Sequence, residues 1–466
     1  MVAPLPNYTS TLPVDIRSHP PTLGWFTLCR VDAHTTSPDA AQNFLSFVSQ
    51  NVESSYAQLC QDLWVAWMLG PNPGYFIEIG GFDGVTLSNT YLLEQQGWGG
   101  LLVEPLPEHF ARLAAVRSCD KWEGAIGLGV DTSAGIATQS VSFRRVTDAP
   151  ELSRLEDVNP KDAHEETRLN HSVFTTPLRR LDDLLDEVDA PQVIDYFSLD
   201  TEGSELDILE TFPFHERTIR VLTVEHNTDA RQREITEFLA RHDYVAMFPE
   251  LSRWDGWYRA RDLQPAAAPM RVPEAPITPA PDARDGQVWL ASSMFDAGME
   301  EQAKRVVDVV GHVVGENVGL LRLHLALAKK SGDPEAIGLA SAELTRVKPE
   351  LVGPTLQAAA WKQSQGDIDA AMDLLTACPT EHPNIETRKG NLFAIQADHD
   401  QALYCFDAAL SLDEASAVAL MGKARSLRTL GRLAEARDLL RDHSATLDAR
   451  PNYLELVNSI ENALAD

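Results

Sequence analysis

The pattern of apolar and polar positions changes character at a proline-rich segment. Before it, short runs of β-branched and aromatic residues alternate with stretches of helical spacing, as in α/β folds. After it, the spacing is helical throughout. The segment has six prolines between residues 262 and 282 and is predicted to be a semi-rigid linker. We therefore predict an N-terminal extension over residues 1–53, an α/β domain over 54–261, a linker over 262–283 and a helical domain over 284–466.

Turn-forming positions recur in the helical part. Gly298, Gly332, Gly366, Ala397 and Gly431 are separated by 34, 34, 31 and 34 residues, the period of the tetratricopeptide helix pair. A small or apolar residue follows each turn by five positions, and Ile337 is the one that is not small. The pattern predicts an all-α tetratricopeptide-like solenoid, closed by a last helix near residues 453–464, that binds a protein partner or promotes self-association. An ordinary helical bundle with accidental spacing is the alternative.

Residues 74–105 have the pattern of a βαβ unit. A strand over residues 75–79 leads into a glycine-rich turn, a helix of about ten residues from near Ser88, and a second strand ending at Glu104. The turn has the form acidic-x-Gly-x-x-x-Gly, in which Gly80 and Gly84 allow the backbone to approach a ligand closely. Glu104 is placed to accept hydrogen bonds from both hydroxyls of a ribose. A dinucleotide-binding turn would have the sequence GxGxxG, which this turn lacks. A purely structural turn that binds no ligand is the remaining alternative.

Further strands are predicted over residues 122–128, 193–199 and 219–224, with helices over 108–117 and 231–241 and a closing hairpin over 244–248 and 254–259. Ligands of open α/β sheets bind at the carboxyl ends of the strands. The acidic residues at the strand ends, Glu78, Glu104, Asp200 and Glu225, are therefore expected to converge. The charged insertion at 141–176 is expected to form a substrate lid.

Several segments together resemble the FkbM family of methyltransferases. They are EIGGFDG, LSNT, VEP, SLDTEGSE and VEHN, within a similarity that extends from about residue 54 to 258. The resemblance implies a class I (Rossmann-like) seven-stranded sheet with helices on both faces, and S-adenosylmethionine-dependent O-methylation of a sugar, glycan or natural-product hydroxyl. Cys60 and Ala57 depart from the family's pattern, which leaves the roles of Gln58, Gln61 and Asp62 open.

The motifs and the βαβ unit together predict a set of cofactor-binding residues. These are Gln61, Glu78, Gly80, Gly81, Asp83, Gly84, Ser88, Asn89, Glu104, Pro105, Gly124, Ala125 and Asp200.

Methyl transfer to an alcohol requires alignment of the two reactants and removal of the hydroxyl proton. The predicted catalytic residues are Asp200, Glu225 and His226, with Asp200 or His226 as general base. Alternatively Asp200, Glu225 and either His226 or Asn227 hold a divalent cation such as Mg²⁺, which lowers the pKa of the hydroxyl. Glu202 and Glu205 are assigned either to this site or to the first turn of the next helix, where carboxylates are favoured.

Three aromatic or imidazole side chains are predicted to have structural roles. His171 is interpreted as an ordinary loop histidine, although it could reach the site from the insertion. Trp254 and Trp257 could stack on a sugar ring, but packing at the sheet edge is the simpler interpretation.

Charge and composition indicate where the protein is located and what it does not bind. The formal net charge of -30 disfavours nucleic acid as a substrate. Five cysteines without a CxxC motif indicate reduced thiols, and neither a signal peptide nor a membrane-spanning apolar run is visible, so a cytoplasmic location is expected. A non-catalytic scaffold, or a protein methyltransferase that holds its substrate with the repeats, are the competing functions.

Overall fold

The computed structural model describes residues 38–127, 139–147, 149–158, 165–270, 285–314, 317–448, 450 and 452–465. The chain divides into two compact units, Met1–Gly315 and Glu316–Asp466. Most of the predicted N-terminal extension and residues 271–283 of the predicted linker lie outside the described residues. Among the described cysteines, Cys60, Cys119, Cys378 and Cys405 are free thiols.

The first unit contains eleven described strands. They are β1 (Tyr75–Ile79), β2 (Gly99–Glu104), β3 (Asp120–Glu123), β4 (Ala125–Ile126), β5 (Gln139–Val146), β6 (Arg154–Leu155), β7 (His171–Arg179), β8 (Val193–Leu199), β9 (Thr218–Glu225), β10 (Tyr244–Met247) and β11 (Asp255–Ala260).

The predicted seven-stranded sheet is confirmed, with the order β10-β11-β9-β8-β1-β2-β3. Strand β11 is antiparallel to both of its neighbours, and the remaining pairs are parallel. The carboxyl ends of β1, β2, β8 and β9 therefore meet at one edge of the sheet.

The helices of the first unit are α1 (Pro38–Asn51), α2 (Gln61–Leu69), α3 (Tyr91–Gln95), α4 (Pro107–Val116), α5 (Leu181–Glu187), α6 (Glu205–Thr211), α7 (Asp229–Arg241), α8 (Pro249–Ser252), α9 (Asp285–Asp296) and α10 (Glu300–Val314). The last two, which the repeat spacing assigns to a first helix pair, belong to this unit.

Successive residues of β11 show that both faces of the sheet are covered. Tyr258 joins the apolar cluster that contains residues of α5, α6 and α7, including Leu184 and Leu239. Trp257 points the other way, since side chains alternate along a strand, and its ring contacts Phe44 of α1 and Trp64 of α2 at 5.7 and 5.3 Å between centroids. Trp257 is thus a core residue rather than a sugar-stacking one.

The third predicted strand is divided in two. Gly124 lies between β3 and β4 with a φ of 157°, and a Cβ there would approach the Pro177 carbonyl oxygen to 2.7 Å. Strand β3 stays in the main sheet, whereas β4 pairs with β7 in a second sheet of order β4-β7-β5-β6. The predicted insertion therefore has regular structure of its own, with β5 and β7 forming an antiparallel hairpin. Residues 128–138 lie outside the described part of the chain.

The helix predicted from Ser88 is shorter than expected. Only the five residues Tyr91–Gln95 are helical. The three residues before them, Ser88, Asn89 and Thr90, instead donate hydrogen bonds to the Glu78 carboxylate.

The second unit is built from helix pairs, as predicted. Its helices are α11 (Val318–Ser331), α12 (Pro334–Val347), α13 (Val352–Ser364), α14 (Ile368–Ala377), α15 (Pro383–Ile395), α16 (His399–Leu412), α17 (Ala417–Thr429), α18 (Leu433–Asp442), α19 (Ser444–Leu447) and α20 (Tyr453–Ala465). The predicted turn residues all have positive φ, from 62° at Ala397 to 82° at Gly366. In neither unit is a described helix both long and apolar enough to span a lipid bilayer.

Candidate active site

A pocket opens at the edge of the main sheet where the carboxyl ends of β1, β2 and β8 meet. It encloses about 910 Å³ of empty space, including its mouth. Ten of the predicted cofactor residues line it: Glu78, Gly80, Gly81, Ser88, Asn89, Glu104, Pro105, Gly124, Ala125 and Asp200. Phe143 and Leu155 of the second sheet line it as well, together with Pro150, Glu151 and Ser153. The inserted sheet is therefore one wall of the pocket.

Glu104 lies at the end of β2, inside the pocket. Its carboxylate accepts hydrogen bonds from the backbone N–H groups of Phe82 and Leu106, both at 2.8 Å. Burial raises the pKa of Glu104 to about 8, although these two donors oppose the shift. A carboxylate has about four acceptor positions, so Glu104 retains capacity for two further donors from a ligand.

Glu78 holds the chain that follows the glycine-rich turn. Its carboxylate accepts hydrogen bonds from Ser88 Oγ at 3.0 Å, from the Asn89 backbone N–H at 2.7 Å and from Thr90 Oγ1 at 2.5 Å. Arg117 lies 3.8 Å from the same carboxylate. Burial raises the pKa of Glu78, and the Arg117 charge opposes this shift. Glu78 therefore shapes the pocket wall through contacts within the protein.

Asn89, which lines the pocket, has one buried polar atom without a protein partner. Its Nδ2 donates to Ser198 Oγ at 2.9 Å, and its buried Oδ1 has no hydrogen-bond partner among the described residues. A buried carbonyl oxygen without a donor is unfavourable. A ligand with an N–H or O–H group at this point would satisfy it.

Gly80 is required by a close approach between two strand ends. Its φ is 94°, and a Cβ would lie 2.1 Å from the backbone oxygen of Asp200. The sequence analysis attributed this glycine to ligand approach, whereas the structure shows a backbone neighbour. The close contact places Asp200 directly beside the glycine-rich turn.

Three carboxylates, from Asp200, Glu202 and Glu225, form a cluster at the ends of β8 and β9. Each can offer an oxygen that lies within 4.8 Å of the others. Burial, followed by the negative charge of Asp200, raises the pKa of Glu225 well above its usual range. Enclosure by protein also raises the pKa of Asp200, to about 6, while a hydrogen bond with Glu225 opposes the shift. Near neutral pH, therefore, Glu225 is protonated and donates a hydrogen bond to the ionised Asp200.

Arg168 introduces a positive charge beside this cluster. It forms a buried ion pair with Glu202, and its Nε donates to the Leu152 backbone oxygen at 3.3 Å. Arg168 belongs to the inserted segment, so the ion pair ties that segment to the carboxylates. Glu205, by contrast, accepts from the backbone of Thr201 and Gly203 at 3.0 and 2.9 Å and stabilises the start of α6, as the structural alternative expected.

The predicted residue His226 does not line the pocket. It is buried, its backbone N–H donates to the Trp254 oxygen at 2.9 Å, and burial lowers its pKa to about 4. The carboxylate that joins Asp200 and Glu225 is Glu202, not a group from His226. A neutral imidazole outside the pocket is a weaker candidate for general base than Asp200.

Gln61, Asp83 and Gly84 also lie outside the pocket lining. Gln61 donates to Asp255 Oδ2, and its Oε1 accepts from the Leu59 backbone at 2.8 Å. Its neighbour Gln58 accepts from Trp254 Nε1 at 2.8 Å. These contacts give Gln58, Gln61 and Trp254 a common role in joining the start of α2 to the loop before β11.

Asp255 is a buried carboxyl outside the pocket lining that the sequence analysis did not consider. It lies opposite Glu225 in the register of β11 and β9. Burial, then the charge of Asp200, raises its pKa to about 7. Its position in a closing hairpin gave no sign of this, since the register that brings it to Glu225 connects residues thirty positions apart.

Among comparisons with known proteins, residues 78–246 match the family model described as the methyltransferase FkbM domain. Residues 78–246 are similar to that domain, and we call them the FkbM domain. The match runs from within β1 to within β10, the elements that build the pocket. It supports a methyltransferase activity for these residues.

Solved structures with similarity to the chain include a MamA protein, at 15% identity and a TM-score of 0.31, covering 34% of this chain and 89% of that one. A tetratricopeptide repeat protein from Parabacteroides merdae has 14% identity and a TM-score of 0.33, covering 38% and 72%. YrrB, described as a tetratricopeptide protein with an unusual peptide-binding site, has 15% identity and a TM-score of 0.29, covering 36% and 91%. Comparison with curated proteins finds no match.

Proposed function

We propose that the FkbM domain transfers a methyl group from S-adenosylmethionine to a hydroxyl of a sugar, glycan or natural product. The observation that carries the proposal is Glu104, a buried carboxylate at the end of β2 that keeps acceptor capacity inside the pocket. The two hydroxyls of a ribose could donate hydrogen bonds to the free acceptor positions of Glu104. These hydrogen bonds would favour the ionised form of the carboxyl.

The donor groups and free acceptors of the pocket fit the remaining parts of this cofactor. Asn89 Oδ1, without a protein donor, suits the ammonium of the methionine end, with Glu78 and Gly80 beside it. Gly124 and Ala125 border the pocket where an adenine would lie next to Glu104. When bound, the cofactor supplies an electrophilic methyl group on a sulfonium.

Asp200 is proposed as the general base for the acceptor hydroxyl. It is the accessible member of the carboxylate cluster, and a pKa of about 6 leaves it ionised at neutral pH yet more basic than an ordinary aspartate. Glu225, kept protonated by burial, donates to Asp200 and orients it. Phe143 and Leu155 would exclude water from this side of the acceptor.

A divalent cation at the cluster remains a second mechanism. The ligands would be Asp200, Glu225 and Glu202, since His226 lies outside the pocket lining. Oxygen-only donors suit Mg²⁺, but the Arg168 guanidinium already neutralises Glu202. Chelation decides between the two: activity that persists in excess chelator supports Asp200 as base, and loss that added Mg²⁺ restores supports the cation.

The proposal is tested by calorimetric titration with S-adenosylmethionine, followed by transfer of labelled methyl to panels of sugars, natural products and proteins. We expect binding by the wild type, and in Asp200→Asn a fall of kcat by about 10²-fold or more with cofactor affinity changed by less than about threefold. Asn retains size and polarity but cannot accept the proton. Absence of cofactor binding by the wild-type protein would overturn the proposal.

The competing functions differ in what this panel would show. A scaffold would bind cofactor weakly or not at all and would methylate nothing. A protein methyltransferase would label proteins and leave sugars unlabelled. The repeat unit is proposed to recruit a partner or a second copy of the chain in each case.

A further inference from the structure

Helices α9 and α10 follow the proline-rich segment in sequence, yet they belong to the first unit. Helix α10 packs against α1, and α9 packs against α8. At the start of α9, a Cβ on Gly286 would lie 2.0 Å from the backbone oxygen of Gln58, so the two backbones are in direct contact. The helix pair therefore contacts segments on both sides of the family match at residues 78–246: α1 and Gln58 before it, and α8 after it.

The residues that flank α8, in the loop between β10 and β11, have left-handed backbone. The φ angle is 48° at Phe248 and 57° at Arg253. A side chain makes this conformation unfavourable, and it persists only where surrounding contacts hold it. Phe248 stacks on Phe44 of α1 at 5.4 Å between ring centroids. The guanidinium of Arg253 lies over the rings of Trp254 and Trp289, at 4.3 and 5.0 Å from their centroids. Trp289 of α9 thus helps to hold one end of this loop.

Trp254, the residue after Arg253, holds the end of strand β9. Its backbone oxygen accepts hydrogen bonds from the backbone N–H groups of His226 at 2.9 Å and Asn227 at 3.4 Å. Its indole Nε1 donates to Gln58 Oε1 at 2.8 Å. The position of Trp254 therefore determines where the chain leaves β9.

The end of β9 carries one of the carboxyl groups of the candidate active site. His226 directly follows Glu225, which is hydrogen-bonded to Asp200. Asp255 directly follows Trp254 and lies opposite Glu225 in the register of β11 and β9. A shift of Trp254 would therefore move Glu225 relative to Asp200.

We propose that Trp289 is a positioning residue for methyl transfer. By stacking on Arg253 it fixes Trp254, and Trp254 in turn holds the end of β9. The roles of Glu225 and Asp200 in proton removal depend on this strand end, so the inference rests on the proposed function. Trp289 is half-buried, and its Nε1 has no hydrogen-bond partner among the described residues. Its contribution therefore comes from the aromatic ring.

Methyl-transfer kinetics of the full-length variants Trp289→Ala and Trp289→Phe test the proposal. We expect Trp289→Ala to lower kcat about tenfold or more, because a small misplacement of reacting groups is costly. Its affinity for S-adenosylmethionine should change by less than about twofold, since Trp289 lies outside the pocket lining. Trp289→Phe keeps an aromatic face for Arg253 and should retain kcat to within about threefold.

Arg253→Ala removes the same stack without altering α9. Arg253 is exposed, so this variant should fold even if Trp289→Ala is unstable. Its kcat should also fall, by at least about threefold. Trp361→Ala is the matched control, because Trp361 is half-buried with Lys362 over its ring at 4.9 Å but lies in the second unit. It should change kcat by less than about twofold.

Hydrogen exchange gives a measurement that does not require turnover. The backbone amides of His226 and Asn227 should exchange about tenfold faster in Trp289→Ala than in the wild type, and at the wild-type rate in Trp289→Phe. The proposal is overturned by wild-type kcat and exchange in Trp289→Ala or Arg253→Ala, by an equal loss in Trp289→Phe or Trp361→Ala, or by a loss of cofactor affinity as large as that of kcat. A wild-type protein that methylates nothing would instead refute the proposed function, and exchange would still decide the role of Trp289.

Discussion

Glu104 shows how one buried carboxylate links stability to ligand binding. With the cofactor absent, its ionised form is opposed by burial and supported by only two backbone donors. Hydroxyl donors would add support for the ionised form. The same residue should therefore be unfavourable for folding and favourable for binding.

The variant Glu104→Gln separates these effects. We expect S-adenosylmethionine to bind at least about tenfold more weakly, because a charged hydrogen-bond acceptor is lost, while the melting temperature stays equal or rises. Calorimetric titration and thermal unfolding measure the two. Glu237→Gln, which changes an exposed glutamate on α7, should leave both unchanged. A melting temperature that falls steeply in Glu104→Gln would contradict this account.

Arg168 is expected to matter for folding as well as for the site. Its removal takes away the positive charge beside the buried carboxylate of Glu202, and breaking a buried ion pair costs about 3–5 kcal/mol. Arg168→Ala should lower the free energy of unfolding by this amount in denaturant titration. Arg231→Ala removes an exposed pair with Glu234 and should cost less than about 1 kcal/mol. Similar losses in both variants would refute the role of the buried pair.

Side chains that follow a motif lie in the pocket, whereas contacts between residues distant in sequence were not predicted. Glu104 and Asn89 lie in the βαβ pattern, and both line the pocket. Arg168 approaches the carboxylate cluster through its ion pair with Glu202, and Asp255 lies opposite Glu225 through strand register, so no local pattern marks them. His226 has chemistry that suits a base but lies outside the pocket lining, and its catalytic role stays a prediction.

At the scale of elements, the turns between paired helices show the cost of left-handed backbone conformation. Ala397 adopts a φ of 62° where the other turns have glycine, and a Cβ at Gly431 would meet no atom within 4 Å. The difference between the two is therefore conformational. Left-handed backbone costs a residue with a Cβ about 1 kcal/mol.

We expect Ala397→Gly to raise the free energy of unfolding by about 1 kcal/mol and Gly431→Ala to lower it by about the same amount. Denaturant titrations that follow the helical signal measure both. Changes of the same sign in the two variants would contradict the assignment.

The second sheet is the element that the sequence pattern did not reveal. Strand β5 contains Arg144 and Arg145 beside its apolar residues, and these charges obscure the alternation at Val141 and Phe143. Strand β5 is nevertheless stabilised by pairing with β7, since the apolar side chains of both strands pack with Leu106 and with Ala125 of β4. A segment expected to form a substrate lid is thus a pocket wall with its own hydrogen bonds.

Over the whole molecule, the raised carboxyl pKa values predict a pH dependence of stability. Burial raises the pKa of Asp62 to about 6, that of Asp255 to about 7 and that of Glu104 to about 8, all above the ordinary values of 3.8 to 4.5. Between the ordinary pKa of each group and its raised pKa in the folded protein, the folded state binds more protons than the unfolded state. The free energy of unfolding therefore falls as pH rises through this range.

We expect the first unit to be less stable at pH 8.5 than at pH 6 by about 2 kcal/mol or more. Chemical denaturation across this range measures the slope, and Glu104→Gln should flatten it. Stability that increases with pH over this interval would contradict the burial of these carboxyl groups.

The local sequence pattern was sufficient to predict where the strands of the main sheet lie along the chain, the glycine-rich turn with Glu104, and the helix pairs. Each of these depends on spacing within a few tens of residues. The three-dimensional arrangement decided the carboxylate cluster with Glu202, the ion pair of Arg168 and the second sheet. These depend on strand register and burial, which join residues far apart along the chain.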